Sequence, residues 1–467
     1  MGADKPRVFC YPGGPFMRHL LFLTVSATAL AFGATAQAAC VSAFPNVTCS
    51  GTTTGGFTDP TSGLIITVAP GATVENPGGD GFRVRGDTIS LTNNGTIEAS
   101  GDAIDSEGGT TGFTLVNTGT MTSGGRGLDA RPKANVAVTN SGTIAAGNDG
   151  IDTGNGATIT NSGTITMTSA DSKAIDVGNG STVTNSGTIE SGFADVEGIE
   201  TGNNSTITNS GIIRVTDDAL NPGERITVTN SGIIEATGTG DGIDIDSGTI
   251  TNEATGQILS ANSSGIDYDA SVVAISTIDN SGLIRGAVGV EVELGLGVDP
   301  ANTVGQHVIN RSGGTIQGTG GTALVLGAGM DMVHLFEGSS LIGLTDLGDD
   351  DDLLRFSGTS FLTGSFGSLF DGGPGTDTVQ FDFSVSNITS ILFSNDILTF
   401  SFLGLDALDG LRLTRFETFV FANQSFDQTR LLEEFGVNAT PIPLPAGVWL
   451  MLGALAGLAG LKRRRTA

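Results

Sequence analysis

The chain has 467 residues, 49 acidic and 21 basic, for a formal charge of −28. Such a surface excludes nucleic acid and anionic membrane faces as partners and favours solubility and cation binding. Disorder is excluded too, because mean hydropathy is slightly positive at +0.14 and the apolar positions recur periodically.

The N-terminus reads as a secretory signal peptide over residues 1–38. Met17-Arg18-His19 gives a short charged start, Leu20 to Phe32 an apolar run, and Ala36-Gln37-Ala38 a cleavage site of the Ala-x-Ala type. Met17 is a candidate start, and Cys10 is discarded either way. Export leaves Cys40 and Cys49 in an oxidising compartment, where a disulfide is expected within an N-terminal cap over 39–65. Lipidation of Cys40 is the alternative, and it requires an apolar residue where Gln37 stands. No cysteine pair has zinc spacing, and only His307 and His334 follow the signal, which argues against a His-based metal or catalytic site.

From residue 66 to 325 one phrase recurs. Its Asn stands at Asn93, Asn117, Asn140, Asn161, Asn185, Asn209, Asn230, Asn252, Asn280 and Asn310, at intervals of 21 to 30 residues. A near-fixed period of this size marks a solenoid, in which a single coil cannot bury its apolar face alone. The coil is rich in Val, Ile, Thr, Gly, Asn and Asp, which is strand-and-turn composition, and it lacks the Leu lattice of a leucine-rich repeat. In Thr158-Ile159-Thr160-Asn161, Ile159 and Asn161 share one face and the two Thr share the other. A second apolar anchor recurs at Ile104, Leu128, Ile151, Ile175, Ile199, Leu220, Ile243, Ile266 and Val290. Three short strands per period predict an all-β, right-handed parallel β-helix of about 10–12 rungs of 21–24 residues.

Stacking should bring equivalent residues to about 4.8 Å. Asn140, Asn161, Asn185, Asn209 and Asn230 are then expected to form an inward amide ladder, and the Gly two residues later to take a positive φ. An acidic column follows the second anchor: Asp105, Asp129, Asp152, Asp176, Glu200, a break at Asn221, then Asp244, Asp267 and Glu291. Alternation points it outward, where neighbouring charges repel by about 1 kcal/mol in water, so Ca²⁺ or Mg²⁺ could sit along it. The alternative is that each Asp caps its turn, as in Ile151-Asp152-Thr153-Gly154. Outward Thr pairs such as Thr158/Thr160 and Thr182/Thr184 form a third column. Arg131 and Lys133 mark the one irregular turn, and the longer rungs after Asn252 and Asn280 are the only candidate insertions.

Residues 326–427 are read as terminal coils or a β cap. Phe usage rises sharply from here, 14 of the 24 Phe lying between Phe356 and Phe435, and strands are expected at Ile391–Phe393, Leu398–Phe402 and Phe416–Phe421. Three Gly- and Asp-rich turns lie here: Gly327 to Val333 with Asp331, Gly348 to Leu354 with Asp349, Asp350, Asp351 and Asp352, and Gly372 to Val379 with Asp377. They resemble the Gly-Gly-x-Gly-x-Asp calcium nonapeptide, which implies Ca²⁺, Asp349–Asp352 being the expected place. Their last Asp residues are 21 and 25 apart, which is rung spacing and not nine. An acidic turn recurring once per rung is the alternative.

Residues 428–440 are read as a linker to a tripartite tail over 441–467. That tail has a Pro-rich segment from Pro441 to Gly447, a 16-residue apolar run from Ala446 to Leu461, and Lys462 with Arg463, Arg464 and Arg465. The basic cluster would stay cytoplasmic, leaving what precedes it outside. Ile442 followed by Pro443, Leu444, Pro445 and Ala446, the apolar run and the Arg cluster resembles the VPLPA-type C-terminal sorting domain, a relative of the PEP-CTERM signals, with Ile for the first Val. The resemblance implies a Gram-negative source, an exosortase-type partner enzyme, cleavage near the Pro motif and delivery to the cell surface or matrix. The alternative is a plain C-terminal transmembrane anchor. Cys49 to Gly56 and the Asn-x-Gly-Thr-Ile repeats are similar to the passenger region of autotransporter adhesins, without room for a translocator barrel. The expectation is an exported, non-enzymatic, adhesin-like surface protein. Its alternatives are a β-helix polysaccharide lyase or hydrolase and a cation- or ice-binding surface protein.

Overall fold

A computed structural model describes residues 39–269, 275–292, 304–358, 369–404 and 410–437. The signal peptide, parts of the two longer rungs, the sorting motif and the expected transmembrane helix lie outside these. Among the described residues no helix is long and apolar enough to cross a membrane.

A strand of four alternating Val, Ile and Thr residues buries one face and leaves its N–H and C=O groups open. Stacking equivalents answers both needs. The chain forms a parallel β-solenoid of about 13 turns, the strands of the described residues gathering in an 18-stranded and a 27-stranded sheet. One turn comprises Ile151–Thr153, Thr158–Asn161 and Thr164–Met167. Strand Thr158–Asn161 pairs in parallel with Ala137–Asn140 before it and Thr182–Asn185 after it, residue for residue. The register brings Val138, Ile159, Val183, Ile207, Val228, Ile250, Ile278 and Val308 into one buried column. The second anchors form another, from Phe82 and Ile104 to Val290 and Leu324. Each fully buried side chain of this size contributes about 1.5–3 kcal/mol.

The turn count exceeds the expected 10–12 because stacking extends at both ends. Asn46–Ser50, inside the expected cap, already pairs in parallel with Ile65–Val68. Among the described residues the hairpin of Ala39–Ala43 with Asn46–Ser50 opens the stack, joined by the Cys40–Cys49 disulfide. At the far end Leu353–Ser357, Thr378–Phe381 and Thr418–Val420 still pair in parallel. Antiparallel pairing then enters, in Ile388–Ser394, Ile397–Phe402 and Leu411–Thr414, and between Thr418–Val420 and Ser425–Asp427.

Two local expectations are corrected. Residues 428–440 do not begin as a linker: Gln428–Glu434 is a helix capped by Asp427, whose carboxylate accepts the Arg430 N–H at 2.8 Å, and it buries Leu431 and Leu432. The Gly after each Asn-Ser pair does not have a positive φ at Gly142, Gly163, Gly187, Gly211 or Gly232. It is required by close approach, since a Cβ at any of the five would lie 2.1 Å from the carbonyl oxygen of the preceding Gly in the column.

Candidate functional site

All ten repeat Asn are fully buried. Each of the first nine donates from Nδ2 to the next Asn Oδ1 at 2.7–3.0 Å, unbroken from Asn93 to Asn310. Asn140, Asn161, Asn185, Asn209 and Asn230 thus satisfy one another along the axis, and Asn310 ends the row by donating to Ser340 O at 2.8 Å. These groups are structural.

The chemistry lies in the acids. The expected column stacks in register, Asp105 on Asp129, Asp152, Asp176 and Glu200, and again Asp244 on Asp267 and Glu291. Arg83 heads it. Its outward exposure is corrected: Asp105, Asp129 and Asp152 are buried, and Asp176 and the acids after it in the column are half-buried. Strands Leu128–Ala130 and Ile151–Thr153 bury all three of their residues, so alternation fails here, and guanidinium groups lie against the carboxylates. Arg85 holds Asp105 at 2.5 Å. Arg126 reaches Asp149 and Asp152 through one nitrogen at 2.9 and 3.0 Å, and Arg131 reaches Asp152 at 2.8 Å. Lys173 pairs with Glu197 and Glu200.

A second column two residues before each anchor escaped the sequence reading. Asp80, Asp102, Asp149, Asp218 and Asp241 each accept, through Oδ1, the backbone N–H of the residue one rung on, at 2.6–3.1 Å. The signal was an acid, a spacer and then the apolar anchor, as in Asp102-Ala103-Ile104-Asp105. It is disguised because Arg126 and Lys173 occupy the same position in other rungs.

The paired columns divide into two stretches. Up to Glu200 the acids face bases; from Asp218 to Asp246, among the described residues, no ion pair reaches Asp218, Asp241, Asp244 or Asp246. Burial and neighbouring carboxylates push Asp218 up to about 7, Asp244 to about 8 and Asp246 to about 6, and raise Asp241. Asp152 rises to about 7 despite its arginines, because burial and Asp176 outweigh them, and burial raises Asp176 too.

The three Gly-Asp turns stack on successive coils. Asp349, Asp350 and Asp351 are exposed, and Asp351 and Asp350 accept the Thr376 and Gly329 N–H groups at 2.8 and 3.2 Å. Asp331, Asp352 and Asp377 are at most 2% exposed. They form a carboxylate ladder at the head of their strands: Asp331 accepts the Gln306 N–H, Asp352 the Asp331 N–H at 2.8 Å, Asp377 the Asp352 N–H at 2.8 Å, and Glu417 the Asp377 N–H at 2.8 Å. Burial lifts Asp331 to about 9, Asp352 to about 8 and Asp377 to about 6. The structure therefore splits the expected Asp349–Asp352 site, sending three residues to the surface and one into the ladder.

His334 stacks on Phe336, ring centroids 4.1 Å apart, and meets Ser357 Oγ at 2.8 Å. Lys133 is buried in the irregular turn, donating to Gly86 O and Gly108 O. Pro443, Leu444, Pro445, Ala446, Arg463, Arg464 and Arg465 lie outside the described residues. Comparison with protein-family models, curated proteins and solved structures finds no match to this chain.

Proposed function

We propose that this is an exported structural or adhesin-like solenoid, displayed at the cell surface or in the matrix by an exosortase-type system acting on residues 441–467. The supporting observation is the register of one small set of side chains, held from Asn93 to Asn310 within a solenoid of about 13 turns. It lays Thr158, Thr182, Thr206, Thr227, Thr249 and Thr277 in a single outward row. A surface of this kind binds by repetition, many weak contacts acting at high effective concentration, and suits a glycan or matrix partner. The antiparallel strands and the Gln428–Glu434 helix serve as the cap that shields the last coil. The test is intact mass and fractionation from a Gram-negative host, with and without the last 27 residues. Surface delivery of a chain starting near Ala39 and ending between Pro441 and Gly447, only when the tail is present, is the expected outcome. An uncleaved chain in the inner membrane would overturn it.

One observation favours a second reading, a carbohydrate-active β-helix enzyme. Asp149 and Asp152 converge on one Arg126 nitrogen, and Asp152 is pushed up to about 7, where a carboxyl can act as a general acid. Release of reducing ends from acidic polysaccharides, abolished in Asp152→Asn, would establish it.

A further inference from the structure

The head of the strand carrying the Asn ladder needs a side-chain acceptor on many rungs, and two chemistries supply it. In the middle of the solenoid it is a hydroxyl: Ser181 accepts from Ala157 N, Ser205 from Ser181 N and Ser276 from Gly248 N, at 3.0–3.1 Å. In the distal coils the same stacked position holds Asp331, Asp352 and Asp377. One oxygen of each does what the Ser hydroxyl does upstream. The other brings a charge and a second buried oxygen that the backbone does not use. Oδ2 of all three is sealed from solvent without a hydrogen-bond partner, whereas buried carboxylate oxygens are otherwise paired. Arg415, whose charge reaches Asp377, is held by Asp371 at 2.5 Å. Gly372 packs directly against the row, since a Cβ there would lie 2.7 Å from Asp377 Oδ2 and 2.3 Å from Arg415 O.

We infer that the Oδ2 row of Asp331, Asp352 and Asp377 binds Ca²⁺ between successive coils, one ion shared by each neighbouring pair. The matching N–H···Oδ1 bonds relate the carboxylates by one rung, so their Oδ2 atoms repeat at about 4.8 Å. That span is about twice a Ca²⁺–O bond and too long for two Mg²⁺–O bonds. Among the described residues no three acidic, His or Cys side chains gather around one point; the carboxylates act in pairs, with main-chain oxygens and water completing the shell. The ions neutralise a buried row of like charge and tie the distal coils together.

The test is calorimetry of the full chain after chelation, with Ca²⁺ or Mg²⁺ added back at millimolar concentration. Ca²⁺ should raise the melting temperature by roughly 5 °C and Mg²⁺ by much less. Asp352→Ser copies the upstream hydroxyl and removes the oxygen common to both ions; it should lose the Ca²⁺ response and melt no lower than the parent in chelator. Asp352→Asn keeps the shape and should lose the response as well, while Asp351→Asn, at the exposed neighbour, should keep it. No Ca²⁺ response in the parent, an equal response to Mg²⁺, or a full response in either Asp352 variant would overturn the assignment.

Discussion

One inward column runs through two regions and changes chemistry between them. From Asn93 to Asn310 it is made of amides; one coil later the same position is Leu335, then Phe356, then Phe381. Phe356 and Phe381 stack with centroids 5.4 Å apart, and Phe381 stacks on Phe421 at 5.0 Å. Inside the row each amide both donates to and accepts from its column neighbours, so the row demands a strict repeat except at its ends, where Asn310 turns to Ser340 O. An aromatic column asks for no partner and buries a large area per ring. It therefore tolerates the antiparallel strands that interrupt the distal coils. Regularity in the first region and irregularity in the second are consequences of what fills that one position.

The sharpest way to break the comparison is to exchange the two chemistries. Phe381→Asn removes a ring that meets Phe356, Phe383, Phe400, Phe402 and Phe421 and buries an amide with no ladder to join. A loss of about 5 kcal/mol is expected in the distal coils, read as a lower urea midpoint. The reverse exchange, Asn185→Leu, strands the Asn161 donor and the Asn209 acceptor, which met Asn185 at 2.8 and 2.9 Å. It should cost about 3 kcal/mol. Equal stability for Asn185→Leu would mean that the ladder only fills space.

Next in size is Gly187→Ala. If the turn needed a left-handed residue, Asn would rescue it; because the obstacle is the Gly163 carbonyl, 2.1 Å from the new Cβ, Asn and Ala should both fail. About 2 kcal/mol is expected for Ala, from the shift of two neighbouring rungs. A rescue by Asn would restore the positive-φ explanation.

What could be read in advance follows the same division. The Asn ladder was legible because one residue type marks every rung, and with it came the period, the strands and the Ile159 and Ile151 columns. Once the marker stops at Asn310, the rise in Phe announced a change but not the register that puts Phe356 above Leu335. The acidic column was legible in position and misread in exposure, because alternation predicts the direction of Asp152 from its strand alone and Arg126 and Arg131 arrive from neighbouring rungs. The column of Asp102, Asp149, Asp218 and Asp241 was hidden by its exchange with Arg126 and Lys173. The Asp331–Asp352–Asp377 row could not be told from Asp349–Asp351 in sequence, since burial alone separates them.

The smallest effect concerns the acids themselves and contrasts their two stretches. Among the described residues no base pairs with Asp218, Asp241, Asp244 or Asp246, and their folded pKa values stand above those of the unfolded chain. Between about pH 4, where free carboxyls titrate, and pH 8, the value reached by Asp244, the folded state binds more protons than the unfolded one. Stability must then fall as pH rises through this window, and the contribution is fully present only below it. The parent in chelator should have a higher urea midpoint at pH 5 than at pH 8. Asp244 faces Asp269, Asp218, Asp241 and Asp246, so Asp244→Asn should flatten that slope and raise stability at pH 8. The gain should be about 1 kcal/mol once screening at a half-buried site is allowed for. Asp105→Asn, made where Arg85 and Arg83 already neutralise the acid at 2.5 and 3.2 Å, should lower stability at pH 8, because it takes the carboxylate from Arg85 and leaves Arg83 with Asp80 alone. If both substitutions acted in the same direction, the division of the columns into a neutralised and an unneutralised stretch would be wrong.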